Sequence, residues 1–402
     1  MTHVTHPTTA VPAGWYTPAD CDLADFRAVV EVETRLEDYP QAAAVESGVL
    51  VYGRGLADRV TDPDRRREVQ AELVRALRDG PGVVVFQGAF EVVTVEAATS
   101  AFRSLIDRQR AEGGSRGDHF GKPGANDRVW GALDKLAVAR PDVFVDYYAN
   151  DVLALVSEAW LGPHYQVTSQ VNVVNPGGVA QTAHRDYHLG FMDGAQSRAF
   201  PAHVHALSPV LTLQGAVAHC DMPVETGPTM LLPHSQKYGA GYVAFHDPAF
   251  TAYFEDHHVQ LPLATGDAVF FNPALFHGAG TNRTTDVARM ANLLQVSSAF
   301  GRAMETVDTA AICRAVFPEL VRRRAAGVDH RLLANLVTVA AEGYAFPTNL
   351  DLDQPVGSMA PPSQADVLTE AVADGWSPER LAGELAAQQQ RRRSLAGGAT
   401  TL

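Results

Sequence analysis

The spacing of apolar positions changes period twice along this chain. Asp62-Pro63 reads as a helix start, with Val69, Leu73, Val74 and Leu77 on one face and Gly80-Pro81-Gly82 as its end. The run Val83-Val84-Val85-Phe86 predicts a buried strand. A second helix carries Val95, Ala98, Phe102, Leu105 and Ile106 and breaks at Gly113-Gly114-Ser115. A third, capped at Asn150-Asp151, buries Val152, Leu155, Val156 and Ala159 and stops at Gly162-Pro163. Beyond Tyr165 the alternation becomes strict, and residues 165–174, 210–221, 229–232, 259–263, 268–272 and 288–298 read as strands between Gly, Pro and Asp turns. Helical spacing returns over 309–343, with further helix starts at Ser363 and Ser377-Pro378. The pattern predicts a mostly β core flanked by helices, a sandwich or jelly roll. Residues 1–60 have mixed patterning and carry no clear element.

Composition narrows the function classes. The chain has 402 residues, of which 46% are hydrophobic, and no apolar run approaches the roughly 18 residues that cross a bilayer. No membrane partner is expected. A net charge of −14, with lysine confined to Lys122, Lys135 and Lys237, argues against a nucleic-acid partner. The stretch Met1 to Trp15 lacks a basic region followed by an apolar one, and Cys21, Cys220 and Cys313 form no disulfide framework. A cytoplasmic location is expected.

The candidate chemistry centres on His184 and Asp186 in Thr182-Ala183-His184-Arg185-Asp186-Tyr187. Two positions apart on an extended segment, an imidazole and a carboxylate point the same way and can reach one metal ion. A non-haem Fe(II) site of two histidines and one carboxylate needs a further histidine and leaves coordination positions open. His277, after the turn and strand Gly266-Asp267-Ala268-Val269-Phe270-Phe271, is the best candidate. Two rivals exist. His203-Val204-His205 has suitable spacing but no nearby carboxylate, and His219-Cys220-Asp221 repeats the His184/Asp186 spacing. Asp221 is the more natural cap for the turn Glu225-Thr226-Gly227-Pro228.

Arg289 opens an alternating run with Ala291, Leu293, Gln295 and Ser297, so its side chain should enter the same cavity as the metal. A buried guanidinium needs a partner, and a bidentate carboxylate is the natural one, whether internal or from a ligand. Gln170 and Asn172 share one face of their strand, as do Thr212 and Gln214, and either pair is placed to touch a co-substrate or simply to bond between strands. His119 to Trp130 reads as a polar loop whose Asp127, Arg128 and Trp130 are candidates to face a substrate, against a plain surface loop with Trp130 packed in the core. Loops 113–130 and 188–205, with His188, Phe191, Arg198 and His203, are expected to form a lid.

His184-Arg185-Asp186, the stretch Asp221 to Ser235 with Gly227-Pro228-Thr229-Met230-Leu231-Leu232-Pro233, the Gly266-Asp267 strand with His277, and Asn282-Arg283-Thr284 leading to Arg289 together resemble the phytanoyl-CoA dioxygenase family. The resemblance runs over roughly residues 70–300 in the family's order. It implies a double-stranded β-helix and an Fe(II)- and 2-oxoglutarate-dependent dioxygenase that uses O2. Position by position, it implies that His184, Asp186 and His277 ligate iron and that Arg289 holds the far carboxylate of 2-oxoglutarate; Gln170 and Asn172 are candidate co-substrate contacts by strand alternation alone. No catalytic residue is implied beyond the metal centre. The related halogenases have Gly or Ala where Asp186 stands, so hydroxylation of a small metabolite is the expected outcome. Arg128, Trp130, His188 and Phe191 are the expected substrate contacts. Pro233-His234-Ser235-Gln236 replaces the family's usual Pro-Gly-Ser-His, and the spacing to Arg289 keeps Arg283 as an alternative anchor. The organisation expected is an N-terminal extension, 1–69, packed on an oxygenase core, 70–300, and a helical extension, 301–402, frayed from about 388. A cupin-like Zn or Mn hydrolase or isomerase, and a binding protein without turnover, are the other classes compatible with the same ligands.

Overall fold

The computed structural model describes residues 14–112 and 126–394. It forms a mixed β core clad in helices. Ten strands are β1 (Ala44–Glu46), β2 (Val49–Tyr52), β3 (Val83–Phe86), β4 (Asn126–Val129), β5 (Gln166–Val174), β6 (Thr212–Ala218), β7 (Met230–Leu232), β8 (Ala268–Phe271), β9 (Phe276–Gly278) and β10 (Arg289–Ser297). Eight of them make one sheet in the order β1-β2-β3-β8-β6-β10-β5-β4, and β7 pairs with β9. Within the large sheet β2 and β3 run parallel and every other pair is antiparallel.

The small sheet is wider than its two strands. Isolated bridges add His184 beside His277 and Val259 beside Leu231. The segment expected as a strand over 259–263 is reduced to such bridges, at Val259 and at Leu263, where it meets Met222. Cross-strand register in the large sheet sets Arg128 opposite Asn172, Asn172 opposite Ala291, and Gln295 opposite Gln214. Two separate rows result, Arg128-Asn172-Ala291-Ala218 and Thr168-Gln295-Gln214.

The helices follow their capping chemistry. Asp62 accepts from the backbone N–H groups of Asp64 and Arg65 and starts the helix Pro63–Arg78. Its buried Val69, Leu73, Ala76 and Leu77 pack beside the helix Asp151–Leu161, and an ion pair from Arg66 to Glu158 at 2.8 Å links the two. The long helical stretch expected over 309–343 is two helices, Thr309–Ala325 and His330–Ala340, because Gly327 adopts a left-handed φ of 78° and Asp329 caps the second. Ser363 and Ser377 cap the last two helices. The final helix reaches Arg391, past the expected start of fraying, because Gln388 is buried and donates to Pro362 O at 2.9 Å.

The segment expected as a loop over His119–Trp130 also differs. Residues 126–129 are an edge strand, held by pairing with β5, and the expected break at Gly113-Gly114-Ser115 and the first part of the lid, 113–125, lie outside the described residues. No helix among the described residues is long and apolar enough to cross a membrane.

Candidate metal centre

The site is built where the two sheets face one cavity of about 700 Å³. His184 and His277 exchange backbone hydrogen bonds, His184 N to His277 O at 3.0 Å and His277 N to His184 O at 3.1 Å. Asp186 N is tied to Pro273 O at 3.0 Å. Alternation along this extended segment sends His184 and Asp186 into the cavity and Arg185 to the opposite side. Ligand-capable atoms of His184, Asp186 and His277 all lie within 4.8 Å of one another.

The protons on these rings can be assigned from their partners. His184 Nδ1 lies 2.9 Å from Thr182 O, and His277 Nδ1 lies 2.8 Å from Leu275 O. A neutral imidazole that donates from Nδ1 presents a lone pair at Nε2. Burial pushes the pKa of His184 down, which favours that neutral form. The Nε2 atoms then sit 3.5 Å and 3.2 Å from the two Asp186 oxygens, so three acceptors converge with no proton among them. Acceptors so placed repel unless a cation lies between them. Backbone carbonyls that orient each ring through its other nitrogen are a usual support for a metal-bound histidine. Two nitrogens and one carboxylate also match what Fe(II) takes.

Asp186 is fixed as well. Gln214 donates from Nε2 to its Oδ2. Burial acts to raise this carboxyl, but the His184 and His277 rings in their cationic form, together with the Gln214 amide, outweigh it and hold the pKa below the usual carboxylate range. The ligand is therefore an anion.

Arg289, at the start of β10, lines the same cavity and is 6% exposed. Burial pulls its pKa down to about 10, so the guanidinium remains charged at neutral pH. Among the described residues no carboxylate forms an ion pair with it. Its cation faces a space that can admit an anion. Arg283 is exposed and lines no part of the cavity.

The other expected residues separate into two groups. Arg128, Trp130, Asn172 and Phe191 line the cavity. The Arg128 guanidinium lies 4.6 Å from the Trp130 ring centroid, so Trp130 is a cavity wall and not a core residue. Gln170, by contrast, is fully buried and absent from the cavity surface; it accepts from Arg128 Nη2 at 2.8 Å and faces Gln295 at 3.4 Å. His188 stands beside Ser208, and neither it, Arg198 nor His203 reaches the cavity wall.

The rival pairs have other partners. His219 is buried between Thr99 Oγ1 at 2.8 Å and Tyr147 Oη at 2.9 Å, on the side of the sheet away from the site, and burial lowers its pKa to about 3. Asp221 accepts from the N–H and hydroxyl of Thr265, both at 2.9 Å, so it caps the Gly266 turn and not the expected turn at 225–228. His205 is buried against Ser197 O at 3.0 Å.

Several cavity residues carried no sequence signal. Phe245, His246 and Met304 come from non-repeating segments whose direction no period reveals. Gln214 could be placed on a face by alternation, but its bond to Asp186 could not.

Comparison with known proteins bears on what this site is. Residues 79–291 match the family described as Phytanoyl-CoA dioxygenase (PhyH). Dioxygenase trt7 of Aspergillus terreus is 30% identical over 152 residues, which is 38% of this chain and 48% of that protein. Dioxygenase cdmD of Talaromyces verruculosus is 29% identical over 150 residues, 37% of this chain and 45% of that one. The match thus spans about half the length of these curated relatives. Among solved structures, the alpha-ketoglutarate-dependent carbocyclase SnoK from nogalamycin biosynthesis is similar at a TM-score of 0.42 and 19% identity, covering 58% of this chain and 86% of that one. The epimerase SnoN, solved with Fe3+, alpha ketoglutarate and nogalamycin RO, is similar at 0.38 and 20%, covering 59% and 85%. Likeness this distant bears on neither substrate nor outcome. The match over more than half of its length shows that this chain belongs to the phytanoyl-CoA dioxygenase family, whose members use Fe(II) and 2-oxoglutarate.

Proposed function

We propose that this protein is an Fe(II)- and 2-oxoglutarate-dependent dioxygenase that hydroxylates a small-molecule metabolite. The observation that carries the reading is the pairing of two features in one cavity: His184, Asp186 and His277 with ligand atoms within 4.8 Å of one another, and a buried guanidinium with no carboxylate partner among the described residues. In this reading the β core is a double-stranded β-helix. His184, Asp186 and His277 would hold the iron, which when bound would supply the oxidative chemistry that couples conversion of 2-oxoglutarate and O2 to succinate and CO2 with insertion of an oxygen atom into a substrate C–H bond.

The protein's own residues do the rest. Arg289 takes the far carboxylate of 2-oxoglutarate and fixes its direction, while Ala216, Val269 and Leu293 add apolar surface to the cavity wall. Asn172 offers an amide to the co-substrate. Gln170 acts at one remove, by holding Arg128 over Trp130. Arg128, Trp130 and Phe191 then meet the substrate, and an apolar body with an acidic or polar end suits them.

Purified protein given Fe(II), 2-oxoglutarate and air should release succinate slowly even without substrate. Zn(II) or Mn(II) in place of Fe(II) should give none. Hydrolysis or isomerisation with Zn(II) and no 2-oxoglutarate consumption would sink this reading in favour of a cupin-like enzyme, and no succinate with any metal would favour a binding protein.

A further inference from the structure

Between the two ligands of the 184–186 segment lies the largest fully buried side chain among the described residues, Arg185. It points away from the cavity, into a cluster with Tyr238, Tyr242 and Phe276. Its Nη2 donates to Ser235 O at 2.6 Å and to Tyr238 O at 3.0 Å. The guanidinium is stacked 5.0 Å from the Tyr242 ring and 5.2 Å from the Phe276 ring. Nε is buried with no acceptor, and among the described residues no carboxylate pairs with the cation. The backbone has made room for it, since a Cβ on Gly241 would fall 1.9 Å from Arg185 Cζ.

A cation in such a place is expensive. Burying an ion costs several kcal/mol, and apolar residues of similar volume often serve stability as well or better. Two carbonyls and two ring faces offset part of that cost. What an apolar residue cannot supply is the cross-link. Ser235, whose carbonyl Arg185 holds, accepts at Oγ from Phe276 N at 2.8 Å and donates from Oγ to Leu232 O at 2.7 Å. Phe276 immediately precedes His277, and its ring lies under the guanidinium. One side chain therefore touches the backs of both ligand-bearing segments.

We propose that Arg185, acting through Ser235, is a positioning residue that braces the His184–Asp186 segment against the Phe276–His277 segment and so sets the ligand spacing from behind. The inference rests on the metal reading given above. It separates two quantities that a merely structural residue would lose together. Without the brace the ligands are less well placed for the metal, while the apo fold is relieved of a buried charge.

The test uses the full chain and Co(II) alone, titrated by its visible d–d absorption, with thermal unfolding of the apo protein alongside. Arg185→Met should bind Co(II) about 10- to 100-fold more weakly, with an apo melting temperature equal to or above that of the parent. Ser235→Ala, which removes the acceptor of Phe276 N and keeps the carbonyl, should also weaken Co(II). Parental affinity in Arg185→Met overturns the proposal. So does a loss of affinity matched by loss of the apo fold in Arg185→Met while Ser235→Ala binds normally. A parent that binds no Co(II) would overturn the metal reading itself, which is a different result from a parent and both variants that bind alike.

Discussion

Replacing Arg289 by Leu removes the cation proposed to hold the far carboxylate of 2-oxoglutarate. The guanidinium is 6% exposed, lines the cavity and has no carboxylate partner among the described residues. Truncating one member of a buried, hydrogen-bonded charge pair costs about 2–5 kcal/mol, much of it from the partner left unpaired. At about 1.4 kcal/mol per tenfold, that is a loss of roughly 30- to 4,000-fold in 2-oxoglutarate affinity. A thermal readout follows from linkage. A ligand at 100 times its dissociation constant stabilises the folded state by about 2.7 kcal/mol, and in the variant the same concentration should give under about 1 kcal/mol. The assay is an anaerobic titration of the Fe(II)-loaded protein with 2-oxoglutarate, read by its visible charge-transfer band, together with melting curves with and without ligand. Metal affinity should be unchanged, because Arg289 touches no ligand atom. If Arg289→Leu titrates like the parent, or the loss appears in Arg283→Ala instead, the assignment of the anion site is wrong.

Other substitutions test separate parts of the account. His184→Ala should abolish metal binding, whereas His219→Ala should keep it and lower the melting temperature, since it empties a buried site and takes a hydrogen-bond partner from Thr99, which keeps Val95 O, and from Tyr147, which keeps Asn292; the reverse pattern would mean that the wrong His/Asp pair was chosen. Stability should fall on the acid side. His219 titrates near 6.5 in the unfolded chain and near 3 when folded, held neutral by burial, so its contribution is complete above pH 6.5 and is lost at about 1.4 kcal/mol per unit as pH falls toward 3. His234, lowered by burial to about 4, acts in the same direction. A melting temperature that stays flat from pH 7.5 to about 4.5 would contradict this. Gln170→Leu should leave 2-oxoglutarate affinity unchanged and disturb substrate binding through Arg128; weaker 2-oxoglutarate binding would return Gln170 to the co-substrate site.

What the sequence revealed is what local chemistry determines. Alternation alone puts His184 and Asp186 on one side, and the Gly266 turn followed by an apolar strand marks the approach to His277. Caps at Asp62, Asn150, Ser363 and Ser377 are readable for the same reason, because each partner lies within three residues. Where the deciding partner is distant the reading fails. Asp221 serves Thr265, far along the chain, and not the adjacent turn. Alternation gave Gln170 the correct face but could not say that Arg128 and Gln295 would cover it. β1 and β2, in the least legible stretch, are strands because β3 offers an edge to pair with. Arg185, between two obvious ligands, gave no sign of its role, since its partners lie about 50 positions on.

The central claim is that His184, Asp186 and His277 hold one Fe(II) in a cavity that also takes 2-oxoglutarate. Anaerobic addition of 2-oxoglutarate to the Fe(II)-loaded protein should raise a weak visible charge-transfer band that saturates at one equivalent, and the band should be absent in His184→Ala, Asp186→Ala and His277→Ala. No band in the parent protein, or a band that survives all three substitutions, would contradict it.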